Sequence, residues 1–355
     1  MGDLPADRVN SGRPFVKTGM DYCGNFDVKI HTLRSARVVQ CYLCIFVCMA
    51  TKAVHIEVVE GVSTLAFLGA LTRFASRRGW PTDLYSDCGT NFVGAERKFK
   101  QALNEFLSEN KDEIQSFSAQ KGLKFHFNSP AAPFQGGLWE ASVKSAKHHL
   151  RRTMGTNTLA LIQFQTLICQ IEAVLNSRPL IPLSNDPNEF EALTPGHFLI
   201  GGPIVAPPLP DFRGPNSSTL RHWYMVEDFS KRIWRTWQHE YLQTLQARAK
   251  WENPSANLEV GTLVLLHDPQ APPLKWKYAR VVETWRGPDG AVRVARVKTA
   301  DGEYTRPASK LYPLPIGAFP LPFRSGPILN GSSVATICIR RWDTQLTTLC
   351  FAGWI

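Results

Sequence analysis

The sequence predicts an α/β protein with a mixed five-stranded sheet flanked by helices, followed by a helical connector and a small all-β C-terminal domain. Three runs rich in β-branched and aromatic residues lie between residues 15 and 60, as expected of consecutive strands. Helical and strand-like segments then alternate up to residue 176, which favours helices packed on a sheet. Residues 258–314 alternate between apolar and polar side chains and contain glycine-rich turns, as in a small β module.

The individual elements follow from local signals. The first three predicted strands are FVKTGMDYCG, VVQCYLCIFVCMA and AVHIEVVE. Ser63 is predicted to cap a helix, and Gly79-Trp80-Pro81 is predicted to end it. TDLYSD and KFHFN predict two further short strands, separated by a polar helix. Two more helices are predicted at 138–154 and 159–176.

The length of 355 residues is enough for two or three domains. Composition shifts along the chain predict five segments. These are a polar linker at 1–13, the α/β core at 14–200, a proline-rich connector and helix at 201–257, a basic β-barrel-like domain at 258–314 and a tail at 315–355.

The charge balance predicts a polyanionic partner. The chain has 40 Lys and Arg against 30 Asp and Glu, a formal net charge of +10, which favours nucleic acid or an anionic membrane. The longest apolar run, 38–50, is shorter than the roughly 20 residues of a membrane helix, so no membrane association is predicted. The eight cysteines are not spaced as a disulfide framework, which favours a reduced, intracellular compartment.

Three acids stand in apolar surroundings, where a carboxylate is costly unless it is paired or binds a metal. Asp21 lies in the first strand, Asp87 ends the fourth, and Glu140 lies in the helix after a proline- and glycine-containing loop. If the two strands are neighbours and the helix crosses their ends, the three carboxylates converge and can hold two Mg²⁺ or Mn²⁺ ions. Such a pair of ions suits in-line phosphoryl displacement. Taken singly, each acid is more often an ordinary strand-end or solvent-facing residue.

Two groups of basic residues are candidate DNA contacts. Lys144 and Lys147 follow Glu140 by four and seven residues, on the same predicted helix face, and Arg151 continues the row. Cations beside a phosphoryl-transfer site would hold the phosphates of a DNA end. The alternative is a solvated basic helix face.

The second group lies in KWKYARVVETW, where Lys275, Lys277 and Arg280 alternate with aromatic residues. That pattern suits a β surface that binds a phosphate backbone. A half-buried strand with a solvated basic face is the alternative.

Four segments resemble the integrase region of BEL/Pao-type long-terminal-repeat retrotransposons: TGMDYCGNF, SDCGTNFVGAERKF, FNSPAAPFQGGLWEASVKSAKHHLRR and LNSRPLIPLSNDPNEFEALTPGHFLIGG. The resemblance covers about residues 1–314. It implies a ribonuclease-H-like catalytic core with Asp21, Asp87 and Glu140 as metal ligands, which performs 3′-end processing and strand transfer into target DNA. The expected partners are double-stranded DNA, from both element ends and target, and further copies of the chain. The expected location is the nucleus, where integration occurs, with the cytoplasm as a second expected location, and secretion is not expected.

The sequence departs from the family pattern at two positions. Cys88 stands where asparagine is usual after the second aspartate, and Asn25 stands where proline is expected. Neither change removes a ligand, and Cys88 raises the hypothesis of a site sensitive to oxidation or alkylation. The spacing from Asp87 to Glu140 (140 − 87 = 53) is longer than in retroviral integrases, and the polar helical stretch 96–121 accounts for it.

No zinc site is predicted. Cys41, Cys44 and Cys48 lie on a predicted strand, whose alternating side chains cannot close one tetrahedral site, so buried cysteines are expected. His148 and His149 are expected at the surface or facing DNA. The twenty residues before Asp21 lack the His/His/Cys/Cys pattern usual in integrases of this type.

Two other functions remain open at this point. One is a catalytically silent or co-opted transposon-derived DNA-binding protein. The other is a nuclease of the ribonuclease-H fold that cuts strands without joining them.

Overall fold

The computed structural model describes residues 12–33, 35–86, 122–127, 147–155, 157–206, 218–246 and 257–315. The chain forms two compact units. The first contains the described residues up to Asn176 together with 206–241 and 272–274. The second contains 177–205, 242–271 and the residues from 275 onward.

A five-stranded sheet forms the centre of the first unit, in the order β3-β2-β1-β4-β5. Its strands are β1 (Lys17–Lys29), β2 (Val38–Cys48), β3 (Val54–Val59), β4 (Asp83–Ser86) and β5 (Lys124–Phe127). The first three pair antiparallel, whereas β4 pairs parallel to both β1 and β5. This order and these directions are those of the ribonuclease-H-like fold, so the predicted fold class is confirmed.

Helix α1 (Thr64–Arg78) connects β3 to β4 and makes the parallel pairing of β4 with β1 possible. Ser63 caps it as predicted, because its side chain accepts a hydrogen bond from the Ala66 N–H at 3.2 Å. One face of the helix is buried against the sheet, where the Phe74 ring stacks on Phe46 at 4.2 Å and meets Phe15 edge-on. The cysteines of β2 are buried as well, as predicted: Cys41, Cys44 and Cys48.

Helix α2 (Leu161–Asn176) is joined to the edge strand β3 by a buried amide. The Asn176 side chain accepts from the Val54 N–H at 2.8 Å and donates to the Val54 carbonyl oxygen at 2.7 Å. Both backbone groups of Val54 are thereby satisfied at the start of β3, so this one side chain sets where the end of α2 lies against the sheet.

The long helix α4 (Ser218–Leu245) buries Phe229, Ile233 and Trp237, the row expected from their spacing of one helical turn. The helix begins three residues before its predicted start at 221.

Helix α4 also lies beside His149. Its Glu240 carboxylate is 3.3 Å from His149 Nε2. His149 is 2% exposed, so the expectation of a surface histidine is wrong at this position, because α4 covers it.

A cluster of charged side chains around the buried His55 joins β3, α1 and α2. His55 is fully buried, with Nε2 2.8 Å from Glu57 Oε1 and Nδ1 3.4 Å from Glu172 Oε2. Arg73 donates to Glu57 at 2.8 Å, and Arg78 donates to Glu172 at 2.7 Å. Arg77 also pairs with Glu57. Each buried carboxylate is therefore matched by at least one guanidinium.

This cluster predicts that acid lowers the stability of the first unit. Burial lowers the pKa of His55, although the neighbouring Glu172 opposes the shift. Burial acts to raise the pKa of Glu172, but hydrogen bonds and charge attraction from His55, the Ile56 N–H and Arg78 outweigh it, so that pKa lies below its usual value. Both groups bind protons more readily in the unfolded chain, so their contribution is lost as pH falls, first below about 6.5 for His55 and then below about 4.5 for Glu172.

Urea unfolding at pH 7.5 and 5.5 measures this effect. We expect a lower unfolding midpoint at pH 5.5, and a smaller pH response in His55→Gln. The matched control is His31→Gln, because His31 is exposed. Equal pH responses in the wild type and His55→Gln would contradict the assignment to this cluster.

The second unit contains an antiparallel five-stranded sheet in the order β11-β10-β9-β8-β12. Its strands are β8 (Leu263–Leu266), β9 (Lys277–Arg286), β10 (Val292–Thr299), β11 (Gly302–Pro307) and β12 (Leu311–Pro313), with a 3-10 turn at Ala308–Lys310. Alternate residues of these strands form a small apolar core: Val264, Leu266, Ala279, Val281, Ala295, Val297 and Leu311. The predicted all-β module is confirmed.

The proline-containing segment before α4 has more structure than the extended connector that its composition predicts. It contains the two-stranded pair β6 (Ile181–Pro182) and β7 (Ala192–Leu193), followed by the short helix α3 (Pro195–Ile200). Thr194 caps α3, and Pro195 occupies the first turn, where its missing N–H costs nothing. Up to Val205, this segment belongs to the same compact unit as the β module.

None of the helices in the described ranges combines the length and the apolar character that a membrane span requires.

Candidate active site

Asp21 lies on the central strand of the sheet, at the point where β1 and β4 stop pairing. Their parallel register runs from Lys17 opposite Asp83 to Met20 opposite Ser86. Asp21 is the next residue of β1 and is half-buried. Its Oδ1 accepts a hydrogen bond from the Tyr22 N–H at 2.7 Å, so a carboxylate oxygen is held at this position of the strand.

The helical residues 147–154 bring two cations to the same part of β1. Arg151 Nη2 donates to the Gly24 carbonyl oxygen at 3.3 Å. Lys147 is half-buried, and its charge interacts with Asp21, Cys23 and Arg151. Two of the predicted DNA-contacting residues therefore lie beside the predicted acid, one of them tied to the strand that carries it.

The electrostatics at Lys147 favour an anion. Burial lowers the pKa of the Lys147 ammonium, and the neighbouring Arg151 lowers it further, although Cys23 and Asp21 oppose the shift. Burial and the neighbouring Asp21 raise the pKa of the Cys23 thiol to about 12, so this cysteine is not ionised near neutral pH. An anionic group close to Lys147 and Arg151 would offset the cost of holding the half-buried Lys147 ammonium beside a second cation.

The other predicted residues of this site, Asp87, Glu140 and Lys144, lie outside the described residues. Among the side chains that are described, no three His, Cys, Asp or Glu groups lie close enough together to hold a metal ion. The assignment of the three acids as catalytic metal ligands therefore stays a prediction.

The predicted basic residues of the β module are of two kinds, two lysines that are exposed or half-buried and one arginine that is buried. Lys275 is exposed, and Lys277 is half-buried, with its ammonium 5.9 Å from the centre of the Tyr304 ring. Arg306 lies over the same ring at 5.3 Å. Lys277 also lies 3.6 Å from Asp301. A tyrosine ring contacted by two cations is thus presented on this sheet.

Arg280 is different, because it is 4% exposed and its guanidinium is used inside the protein. It donates to three carbonyl oxygens, those of Gly261 at 2.8 Å, Ser184 at 3.1 Å and Glu189 at 2.8 Å. Two of these belong to the loop between β6 and β7. We therefore leave Arg280 out of the proposed DNA-contacting surface and treat it as the residue that holds this loop on the β module.

Replacing Arg280 with lysine tests that role. A lysine keeps the charge but cannot direct donors to three separate carbonyls. We expect the unfolding free energy of the second unit to fall by about 2 kcal/mol, since buried acceptors lose their partners. The loop at Glu189 should also become more susceptible to a glutamate-specific protease.

Arg293→Lys is the matched control, because Arg293 is exposed and pairs only with Asp289 among the described residues. If Arg280→Lys and Arg293→Lys have the same stability and the same cleavage rate, Arg280 does not hold the loop.

A groove of about 790 Å³ lies along the edge strand β3 between α1 and α2. Its lining includes Glu57, Arg73, Arg77, Leu65 and Cys169. Since β3 is separated from β1 by β2, this groove is distinct from the surroundings of Asp21.

Two features of the sheet were not predicted from the sequence, one on β1 close to Asp21 and one on β4 and β5. The contact between Arg151 and the Gly24 carbonyl was missed, although a glycine three residues after the acid is a signal for close approach: a Cβ there would lie 2.5 Å from the Tyr42 ring. The hydrogen-bonded pair of His126 and Asp83 was also missed, because a single histidine in a short strand carries no functional signal.

One part of the chain matches a known family model. A family model described as a family of unknown function, DUF5641, matches residues 221–314, which include most of α4 and the β module. The search of curated proteins found no match.

Several solved structures are similar to the chain. A chain of the simian T-cell lymphotropic virus intasome, in complex with the PP2A regulatory subunit B56 gamma, is 12% identical over 89% of this chain and 84% of that chain, with a TM-score of 0.35. The HTLV-2 integrase catalytic core domain in complex with magnesium is 15% identical in its dimeric form, over 46% of this chain and 88% of that chain, with a TM-score of 0.29. Its trimeric form has the same identity and TM-score, over 48% and 90%. The strand order and strand directions, rather than these alignments, identify the fold.

Proposed function

We propose that this chain is a retrotransposon integrase of the BEL/Pao type, a metal-dependent polynucleotidyl transferase that processes the 3′ ends of element DNA and joins them to target DNA. The observation that carries the proposal is the parallel pairing of β1 with β4. Its last described pair is Met20 with Ser86, and the sequence continues from these two residues with Asp21 and Asp87. Two acids that directly follow paired residues of neighbouring parallel strands suit a shared metal site.

The donor type at Asp21 fits a hard divalent cation, because a carboxylate oxygen is the ligand that Mg²⁺ and Mn²⁺ prefer. In the proposal Asp21, Asp87 and Glu140 hold two such ions. Bound divalent ions would stabilise charge on the attacking and leaving oxygens of an in-line displacement at phosphorus.

The described residues supply the positioning of the DNA. The half-buried Lys147 and the exposed Arg151 place two cations close to Asp21, and a DNA phosphate is the anion that would offset their mutual repulsion. The Arg151 hydrogen bond to Gly24 ties the helical residues to the strand that bears the acid. On the β module, Lys275, Lys277 and the Tyr304 ring form the second proposed DNA contact. Because integration requires two DNA ends, we also propose that the protein acts as an oligomer.

A strand-transfer assay with a labelled DNA end and Mg²⁺ or Mn²⁺ tests the function. We expect joined products from the wild type and none from Glu140→Gln. Tight DNA binding without products would favour a silent or co-opted DNA-binding protein, and cut ends without joined products would favour a nuclease.

DNA affinity should fall as the salt concentration rises, because phosphates neutralised by the protein release their counterions. A flat salt response would contradict the proposed basic contacts.

A further inference from the structure

Four side chains form a cluster around the imidazole of His126 on β5. The other three are Asp83 and Tyr85 on β4 and Thr82, the residue before β4. His126 Nε2 lies 2.8 Å from Asp83 Oδ1, and the second carboxylate oxygen accepts from the Thr82 hydroxyl at 2.7 Å. The His126 ring stacks on the Tyr85 ring at 4.6 Å between centroids, with 12° between the planes. The imidazole is therefore held both by a hydrogen bond at one nitrogen and by a stacking contact on one face.

The cluster lies on the same face of the sheet as Asp21. Tyr85 pairs with Gly19 on one side and with His126 on the other, and paired residues of parallel strands project to the same face. Asp21 follows Gly19 by two residues, so the row that contains His126 lies one pleat repeat, about 7 Å, from the row that contains Asp21, and β5 lies two strand spacings, about 10 Å, from β1. On β4 the residues facing the other side, Leu84 and Ser86, are buried, whereas Asp83 and Tyr85 are only half-buried.

The charges around the imidazole favour an anion beside Nδ1, the ring nitrogen that is not bonded to Asp83. Burial acts to raise the pKa of Asp83, but the hydrogen bonds from His126 and then Thr82 outweigh that effect, so the pKa of Asp83 is lowered. Asp83 is therefore a carboxylate in the pH range in which imidazoles ordinarily titrate. Nε2 of His126 is therefore the donor to Asp83. Two lysines occupy the positions paired with Asp83, Lys17 on β1 and Lys124 on β5.

The second ring nitrogen, Nδ1, is the atom of His126 that can contact a ligand. It accepts a hydrogen bond in the neutral ring and donates one in the imidazolium. The His126 side chain is 42% exposed, so a ligand can reach it. An isolated surface pair of histidine and aspartate contributes little to stability, so stability alone does not explain why this ring is held by both a hydrogen bond and a stacking contact.

We propose that His126 binds a backbone phosphate of the DNA strand that enters the candidate active site, donating from Nδ1 as an imidazolium. Asp83 and Tyr85 act as positioning residues for the ring. The inference rests on the proposed function and adds to it a phosphate-binding residue on β5, one row from Asp21.

Fluorescence anisotropy with the full-length chain and a labelled double-stranded DNA end in EDTA measures the contact without metal. We expect wild-type affinity to rise as pH falls from 8 to 6. His126→Gln keeps an amide nitrogen that can reach Asp83 but has no group at the Nδ1 position, so it should bind about tenfold more weakly at pH 6. The same variant should lose much of the pH dependence. His126→Asn places a neutral donor near the Nδ1 position and should bind DNA more tightly than His126→Gln, with little dependence on pH.

His31→Gln is the matched control, because His31 is an exposed histidine between β1 and β2. Urea midpoints equal to that of the wild type establish that each variant is folded. In strand transfer, His126→Gln should raise the DNA concentration needed for half-maximal rate and leave the maximal rate near the wild-type value.

The outcomes separate this inference from the proposed function. If the wild type binds and joins DNA while His126→Gln keeps the wild-type affinity and pH profile, the inference alone is overturned. A loss of maximal rate with unchanged affinity would also overturn it, since His126 would then act on the chemistry and not on binding. If the wild type neither binds nor joins DNA, the proposed function fails and the inference fails with it.

Discussion

Replacing Asp21 with asparagine is expected to lower strand joining by more than about 100-fold, because changes in groups that only support a metal ligand already reach that size. The structural cost should be small. The side-chain oxygen that accepts the Tyr22 N–H at 2.7 Å is retained in asparagine, so the local backbone contact survives while the negative charge is lost. Joined products are measured by gel in Mg²⁺ and in Mn²⁺, and the urea midpoint is measured beside them.

Asp27→Asn is the control for this experiment. Asp27 lies on the same strand, is exposed, and undergoes the same chemical change. It should join DNA at the wild-type rate. If Asp21→Asn also joined DNA at a rate within a few fold of the wild type, Asp21 would be removed from the proposed ligand set and the metal site would have to be sought elsewhere.

Replacing Glu57 with alanine is expected to lower the unfolding free energy of the first unit by about 1–3 kcal/mol, the cost of leaving the buried His55 donor without its acceptor. Glu57 is 4% exposed and contacts His55, Arg73 and Arg77. Without its carboxylate the His55 Nε2–H and the two guanidinium groups lose their shared acceptor. Chemical denaturation at pH 7.5 measures the difference.

Glu60→Ala provides the comparison, because Glu60 follows the same strand and is exposed. Its effect should remain within about 0.5 kcal/mol, as is usual for a surface substitution. Equal stabilities of the two variants would mean that the charges around His55 are not coupled to folding. The prediction concerns stability alone, so DNA joining by the folded fraction of Glu57→Ala should remain.

Much of the first unit could be predicted because its signals are local. Strands β1 to β3 are runs of β-branched and aromatic residues, and α1 has both a capping serine and a stop at Gly79. The placement of Asp21 within β1 follows from the same pattern. The start of α4 was missed by three residues, and α3 was missed altogether, because a short helix after proline resembles an extended connector in composition.

By itself the sequence determined the strands, the main helices and the position of Asp21 within β1, because hydrophobic periodicity and capping act over a few neighbouring residues. Tertiary structure decided which polar side chains are covered. Arg280 is buried since the loop between β6 and β7 lies over it, and His149 is buried since α4 does the same. His55 meets Glu172 only because β3 and α2 pack together. The burial of a charged group depends on which distant segment packs against it, and no local pattern contains that information.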